Sequence, residues 1–201
     1  MEYICLEDIF DITGGQITSR IEVKDDSAGY NVAQVLIPKA IANGFVSTAD
    51  LGTLKIHDTL SNVVDSRRIT AENDIVIKLS SPYDACLITR QDEGLLVPSF
   101  CACLRTKSNA KIACDLNYAL AFLNSKYCQA QIKHSVAGST IAIISVTLLR
   151  KLKMPLPIAG QQKAIADNYI NSMKKLVIFQ KMLSLEKEKN DSYFFEMTER
   201  Q

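Results

Sequence analysis

The stretch "MPLPIAGQQ" (154–162) divides the chain into two parts of different character. Its two prolines disfavour helix immediately before them, and Gly160 follows. From residue 161 to residue 201 there is neither Gly nor Pro, and the helix-favouring residues Lys, Glu, Leu, Met and Gln are frequent. The sequence therefore predicts a globular domain over residues 1–155 and one long helix over residues 156–201.

Apolar residues in the predicted helix follow a seven-residue spacing, which is typical of helices that pair as a coiled coil. Polar residues interrupt the spacing at Gln180, Lys187 and Asn190. A helix of this length would reach roughly 60 Å at 1.5 Å per residue, too far to fold back onto the preceding domain. We therefore expect deletion of residues 161–201 to leave a folded monomer. The predicted dimerisation positions are Tyr169, Met173, Leu176 and Leu183.

The upstream part mixes strand and helix patterns, so the predicted fold class is α+β, with a mixed sheet and short helices before the long helix. "ENDIVIKLS" (72–80) alternates apolar and polar residues and predicts a half-buried strand. "DLNYALAFLNS" (115–125) predicts a short buried helix that begins at the N-cap Asp115. Three further β-rich runs are "ACLITR" (85–90), "LLVPSFCACL" (95–104) and "TIAIISV" (140–146).

Composition excludes several classes of protein. Hydrophobic residues make up 47% and charged residues 22%, values that exclude wholesale disorder. No run of 18 apolar residues predicts a membrane span, and the opening stretch holds acids but no base before Gly14, unlike a secretory signal. The six cysteines form no CxxC pair, so we expect reduced, mostly buried thiols in a cytoplasmic protein.

Charge is unevenly distributed although the net charge is only +1. Residues 1–60 hold nine acids and four bases, whereas residues 61–160 hold seven acids and twelve bases. Between Glu93 and Asp167 the only acid is Asp115. Such depletion predicts a positive field over part of the surface, with an ordinary solvated face as the alternative.

We find no catalytic motif in the sequence. Two histidines and scattered cysteines provide no zinc-ligand spacing, and Gly14-Gly15 lacks the spacing of a phosphate-binding loop. Cys128 and His134 lie six residues apart and leave a thiol hydrolase as an alternative, without an orienting group or an oxyanion motif nearby. The expectation is a chain that is not an enzyme and holds no metal or cofactor.

Six segments spread over nearly the whole chain follow one another in a recognisable order. They are "YICLEDIFDITGGQ" (3–16), "VLIPKAIANGFV" (35–46), "ITAENDIVIKLS" (69–80), "VPSFCACLRT" (97–106), "DLNYALAFLNS" (115–125) and, after Gly138, "LLRKLKMPLPIAGQQKAIA" (148–166). Together they resemble the specificity (S) subunit of type I restriction–modification systems, and the final segment, with its "IPLPPL-x-EQ"-like pattern, is the most specific. Gln161 replaces the family's usual Glu, and Asn73 replaces a usual Gly, which is tolerable because Asn accepts turn conformations.

The resemblance implies a DNA-reading scaffold. In that family each target-recognition domain reads half of a split double-stranded DNA site, and helices set the spacing and dock methyltransferase (M) subunits, which bind S-adenosylmethionine. Restriction (R) subunits are a further optional partner. Typical S subunits carry two recognition domains and two helical spacers, whereas this sequence has one of each. The resemblance with a single copy of each therefore implies a homodimer, which forms by self-association of the helix. Such a dimer would read an inverted repeat, since a protein with two-fold symmetry matches a DNA site with two-fold symmetry.

Arg, Asn and Gln read guanine and adenine edges in the major groove, and basic side chains contact phosphates. We therefore select DNA-facing candidates from loops that are rich in such residues. The candidates are Gln16, Thr18, Ser19, Arg20, Arg67, Arg68, Lys107, Lys133, Ser139 and Thr140. The alternative within the same family is a truncated paralogue that acts as an interaction or decoy protein without reading DNA.

Overall fold

A computed structural model describes residues 2–24, 29–136 and 142–199 of the chain. The strands are β1 (Glu2–Cys5), β2 (Phe10–Gly14), β3 (Asn31–Val35), β4 (Ile41–Ala42), β5 (Phe45–Val46), β6 (Gly52–Ile56), β7 (Ile75–Lys78), β8 (Ala85–Leu87), β9 (Cys101–Thr106) and β10 (Lys153–Leu156). The α-helices are α1 (Leu6–Ile9), α2 (Leu60–Val63), α3 (Leu116–Leu123), α4 (Lys126–Ser135), α5 (Val146–Arg150) and α6 (Ala159–Glu199). Short 3-10 helices span Thr18–Arg20, Pro38–Ala40, Thr48–Asp50, Ser66–Arg68 and Arg90–Asp92.

Four antiparallel strands form the largest sheet, in the order β2-β9-β7-β8. Its strand β7 is the one predicted from "ENDIVIKLS", but the prediction that this strand is half-buried is wrong. Ile75 and Ile77 lie in the core under α3, and Val76 lies in a second core on the other face. All three side chains are fully buried because elements cover both faces of the sheet.

The second core contains three of the four buried thiols. Cys101 and Cys103 project from the same face of β9, as their spacing predicts, and pack with Cys86. Three two-stranded sheets, β1–β10, β3–β6 and β4–β5, surround the central sheet. The β1–β10 pair joins the start of the chain to the strand that immediately precedes the long helix α6.

The predicted helix after Asp115 is confirmed as α3. The Asp115 carboxylate accepts hydrogen bonds from the amides of Asn117 (2.8 Å) and Tyr118 (3.1 Å), which is the expected N-cap geometry. At the other end, the Asn124 amide binds the backbone N–H and C=O of Ala85 at 2.9 and 3.0 Å. It also donates to the Tyr169 hydroxyl at 2.8 Å, so one side chain connects β8, α3 and α6.

The strand expected over residues 140–146 is not observed in its described part, residues 142–146. Ile143 makes a single bridge to Ser80, and α5 begins at Val146. The Ser145 hydroxyl accepts a hydrogen bond from the Leu148 amide at 3.2 Å and caps this helix. A local cap therefore prevails over the β propensity of the β-branched residues.

The long helix is confirmed, and its first turns belong to the domain. Gln162 is 5% exposed; its side chain accepts from the Asp115 amide (2.9 Å) and donates to the Pro157 carbonyl (2.9 Å). Ala166 is buried, and Tyr169 packs against the same core. Deleting residues 161–201 would remove these core contacts, so the structure argues against our expectation that this deletion leaves a folded monomer. The domain also contacts α6 beyond these turns, since the Asn43 amide donates to Gln180 Oε1 at 3.0 Å.

Beyond Met173 the described side chains of α6 are exposed up to residue 198. They include large apolar residues such as Ile178, Met182 and Phe194, each more than half exposed. Within residues 2–24, 29–136 and 142–199, no helix is long and apolar enough to cross a membrane.

We predict that Asn124→Ala lowers the free energy of unfolding by about 2–4 kcal/mol, because the backbone groups of Ala85 and the Tyr169 hydroxyl lose their partner. Urea denaturation of the full chain measures the change. Asn171→Ala, on the exposed surface of α6, is the matched control and should change the value by less than about 0.5 kcal/mol. Equal stability of the two variants would contradict the connecting role of Asn124.

Candidate nucleic-acid interface

The structure brings together two of the predicted DNA-facing segments that lie 52 residues apart. The Gln16 amide donates to the Val97 carbonyl at 2.8 Å, and the Val97 amide donates to the Arg68 carbonyl at 2.9 Å. The side chains then meet directly, because Arg68 Nη1 donates to Gln16 Oε1 at 2.8 Å. We call these two side chains the Gln16–Arg68 pair.

Gly15 allows the close approach on which this pair depends. The Gly15 amide donates to the Cys101 carbonyl at 2.9 Å. A Cβ atom at this position would lie 2.1 Å from the Pro98 carbonyl oxygen and 2.6 Å from that of Val97. Because backbone atoms cannot move aside as a flexible side chain can, only glycine fits here.

The Arg68 guanidinium is incompletely paired. Its Nε is buried and has no hydrogen-bond partner in the part of the chain that the structure describes. A buried donor without a partner costs free energy, and such groups are frequent at sites that serve a ligand. Gln16 itself is half-buried, so the pair is held by the fold and remains at the surface.

Three further candidates lie close to Gln16 in the sequence. Thr18, Ser19 and Arg20 form a 3-10 helix whose last two residues are exposed. The adjacent Ile17 is 41% exposed and Phe100 is 61% exposed. The backbone next to Phe100 reaches this surface, because the Ser99 amide donates to the Gln16 carbonyl at 2.8 Å. Phe100 was not among the predicted site residues, because its surrounding run reads as a buried strand.

A cavity of about 280 Å³ lies along the sheet next to the Ser66–Arg68 helix. We call it the arginine cleft. Its lining residues are Asp11, Ile12, Thr13, Arg67, Cys103, Arg105 and Arg150. Arg105 and Arg150 were not among the predicted site residues, although both belong to the acid-depleted stretch that predicted a positive surface.

The folded backbone holds the arginines of the cleft in place. Arg105 binds the buried Asp74 carboxylate through Nε (2.8 Å) and Nη2 (2.6 Å). This pairing raises the pKa of Arg105, so its charge is permanent. Arg150 donates to the Ile12 carbonyl at 2.7 Å. Asp74 follows Asn73, which adopts φ +69°, the turn conformation that the sequence predicted Asn would tolerate.

Arg67 is more accessible than Arg105, with 67% of its side chain exposed against 36%. Its guanidinium donates through Nε to the Asp65 carboxylate at 3.0 Å. This contact lowers the pKa of Asp65 and raises that of Arg67. Because the pair is exposed, it contributes little to stability, and Arg67 remains available for exchange of partners.

Two other candidates, Lys107 and Lys133, do not join this surface. The Lys107 ammonium donates to the Glu7 carbonyl at 2.5 Å. It follows Thr106, which faces Phe10 at the end of β2 away from Gln16. Lys133 is exposed in the last turn of α4, a helix that packs on the opposite face of the sheet from Arg105. Ser139 and Thr140, together with Gly138, lie outside the described residues.

The four predicted dimerisation residues fall into two environments. Tyr169 is held by its own domain through Asn124, and burial raises its pKa to about 12. Met173 is half-buried, whereas Leu176 and Leu183 are 43% and 58% exposed. Tyr169 therefore acts in intramolecular packing, and the free apolar positions begin one to two turns later in α6.

The geometry around Cys128 and His134 does not support a hydrolase. Cys128 is fully buried and burial raises its pKa to about 12, whereas His134 is exposed on another face of α4. A thiol must lose its proton before it can act as a nucleophile. Among the described residues no cluster of His, Cys, Asp or Glu could hold a metal ion.

Comparison with known families gives a match over nearly the whole chain. The model of the type I restriction modification DNA specificity domain matches residues 1–194. The chain belongs to this family. No curated protein is similar enough to count as a relative of this specificity domain.

Solved structures show the same fold. The HsdS subunit from Thermoanaerobacter tengcongensis superposes with a TM-score of 0.61 at 14% identity, over 94% of this chain and 46% of that one. A chain from a study of assembly and conformational transition of the type I R-M system gives 0.57 at 12% identity, over 94% and 42%. The type I S subunit from M. genitalium gives 0.51 at 19% identity, over 91% and 41%. This specificity domain thus spans less than half the length of the solved chains.

We predict that Arg68→Lys lowers affinity for a specific DNA site about tenfold and leaves nonspecific affinity nearly unchanged. Lys keeps the charge but lacks the planar fork, and a bidentate base contact is worth about 1–3 kcal/mol. Fluorescence anisotropy with specific and scrambled duplexes at one salt concentration measures both affinities. Arg90→Lys is the matched control, an exposed arginine in another 3-10 helix. Equal losses for both variants would contradict base reading by Arg68.

Iodoacetamide at pH 8 should label Cys5, which is half-buried, and leave Cys128 unlabelled in the folded chain. The raised pKa keeps Cys128 protonated at this pH, and burial blocks access. After unfolding, all six cysteines should react, as measured by peptide mass spectrometry. Labelling of Cys128 as fast as Cys5 would restore the hydrolase alternative.

Proposed function

We propose that this chain recognises a specific DNA sequence as the specificity component of a type I restriction–modification complex. The observation that carries the proposal is the Gln16–Arg68 pair beside the arginine cleft, in a member of a DNA specificity family. Gln and Arg are the side chains that read adenine and guanine edges, and here the backbone of Val97 holds one of each together.

The two parts of the surface would have different tasks. The arginine cleft would contact phosphates, which sets affinity and register without reading sequence. Arg67 would exchange Asp65 for a phosphate, while Arg105 stays bound to Asp74. The Gln16–Arg68 pair and the adjoining Thr18–Arg20 helix would enter a groove and read bases. Ile17 and Phe100 would supply apolar contacts to sugars or to the thymine methyl group.

The chain would do no bond chemistry itself. Methyltransferase subunits would bind S-adenosylmethionine and modify an adenine, while this chain positions them on the DNA. Two copies associated through α6 would place two recognition domains on an inverted repeat, since a two-fold protein matches a two-fold site. A restriction subunit is a further partner of the assembled complex. We place the complex in the cytoplasm, because the complex would act on DNA.

Adenine methylation tests this proposal directly. The chain, a type I methyltransferase subunit and S-adenosylmethionine are incubated with unmethylated genomic DNA, and modified adenines are mapped by single-molecule sequencing. We expect methylation at one recurrent two-part motif whose halves are inverted repeats, and none when the chain is omitted. Methylation at scattered adenines without a shared motif would contradict the proposal.

The decoy alternative predicts a different result in the same experiment. A paralogue that only occupies methyltransferase subunits would co-purify with them and add no methylation. It would also lower the methylation produced by a full-length specificity subunit added to the reaction. Two unlike half-sites in the recovered motif would exclude the homodimer while preserving DNA recognition.

A further inference from the structure

The arginine cleft contains one carboxylate that is open to a ligand. Asp11 is the only acid among the described residues that line the cleft. Its side chain is exposed, and its carboxylate accepts no hydrogen bond within the described part of the chain. The two other carboxylates at the cleft differ in this respect, because Asp65 is bound by Arg67 and Asp74 is bound by Arg105.

The strand β2 holds Asp11 in the cleft. Phe10 and Ile12 are buried in the core on one face of the sheet, so Asp11 between them projects from the other face. Asp11 is the cross-strand partner of Arg105, and opposite charges in such positions attract. The Arg105 guanidinium nevertheless uses Nε and Nη2 to bind Asp74, at 2.8 and 2.6 Å. Asp11 is therefore fixed by the backbone, while its carboxylate oxygens remain accessible.

The surrounding charges allow this carboxylate to come close to DNA. Arg67, Arg105 and Arg150 line the same cleft. The pKa of Arg67 is raised chiefly by its hydrogen bond to Asp65, and the charge of Asp11 adds to the shift. A carboxylate that faces a phosphate is repelled, whereas a carboxylate that faces a hydrogen-bond donor is bound. Asp11 therefore suits a donor on a base rather than the DNA backbone.

The donors on DNA bases narrow the ligand to one group. In the major groove the donors are the amino groups at cytosine N4 and adenine N6. Adenine presents the acceptor N7 beside its amino group, and an ionised carboxylate has only acceptors to offer to it. Cytosine presents no acceptor on this edge, so the chemistry favours cytosine over adenine.

We propose that Asp11 reads a cytosine by accepting a hydrogen bond from its N4 amino group. The inference rests on the proposed function and adds a third reader to the Gln16–Arg68 pair, whose side chains suit adenine and guanine. Asp11 lies five residues before Gln16, which is roughly 16 Å along an extended chain. Because neighbouring base pairs are about 3.4 Å apart, Asp11 reads a different base pair from Gln16.

Selection from a random duplex pool, with the full chain bound to a type I methyltransferase subunit, tests the assignment. For Asp11→Asn we expect a motif in which one cytosine of each half-site is no longer required. Adenine should gain at that position, because an Asn amide pairs with adenine N6 and N7. The positions that depend on Gln16 and Arg68 should be kept. Asp11→Glu retains a carboxylate and should retain the cytosine.

Asp58→Asn is the matched control for the loss of one negative charge. Asp58 is also exposed, but its carboxylate already accepts from the Asn62 side chain at 3.0 Å and from the Thr59 amide at 2.6 Å. This variant should select the same motif as wild type. Asn has the shape of Asp, and the Asp11 side chain is exposed, so Asp11→Asn is expected to fold.

A modified base isolates the amino group. N4-methylcytosine still pairs with guanine, and its methyl group replaces the amino hydrogen that faces the major groove. We expect this base at the assigned cytosine to weaken binding by wild type about tenfold, because a hydrogen bond to a charged group is lost. Asp11→Ala should bind the methylated and unmethylated duplexes with affinities within about twofold of each other. Fluorescence anisotropy at one salt concentration measures all four affinities.

The outcomes separate this inference from the proposed function. A wild-type motif that Asp11→Asn leaves unchanged overturns the inference and leaves DNA recognition intact. A uniform rise in the affinity of Asp11→Asn for all duplexes also overturns it, because Asp11 then acts only through its charge. Loss of every motif position in Asp11→Asn, with the unfolding free energy unchanged in urea, assigns Asp11 a general role and overturns it too. A wild-type complex that selects no motif overturns DNA recognition and the inference together.

Discussion

The backbone of Val97 is the constraint on which the candidate interface depends. Its carbonyl accepts from Gln16 and its amide donates to Arg68, so one residue of the strand-like run before β9 holds two distant surface segments together. This arrangement requires that β2 end against Pro98, which the absence of a side chain at Gly15 permits. In the adjoining arginine cleft, the buried Asp74 carboxylate holds the Arg105 guanidinium in place. Rigid placement of this kind reduces the entropy lost when a ligand binds.

Sequence patterns could predict the parts of the fold that depend on local rules. Asp115 begins α3, Asn73 takes the turn conformation, and the absence of Gly and Pro after residue 160 gives a continuous helix. Sequence-based predictions of burial and secondary structure were wrong where the result depends on contacts that a local pattern does not show. The alternation in β7 could not indicate that both faces are covered, and Ser145 caps a helix in a run that reads as strand.

The candidate site was partly predictable for the same reason. Gln16, Arg67 and Arg68 were selected by residue type and loop context, and the structure places Gln16 and Arg68 in contact. Arg105 and Phe100 were missed, because their positions depend on strand register and on the path of residues 97–100. Lys107 lies away from Gln16, and no local pattern shows which end of a strand a residue will follow. Tyr169 likewise fits the heptad spacing, yet its hydroxyl contacts Asn124 in the same domain.

The most direct test of DNA recognition is selection from a random duplex pool at near-physiological salt, with the chain bound to its methyltransferase subunit. We expect enrichment of a split motif. When Gln16 and Arg68 are both replaced by alanine, we expect that motif to be lost while nonspecific binding is retained. Recovery of the same motif by this double variant would contradict the assignment of base reading to the pair. A complex that forms but enriches no sequence would contradict DNA recognition itself.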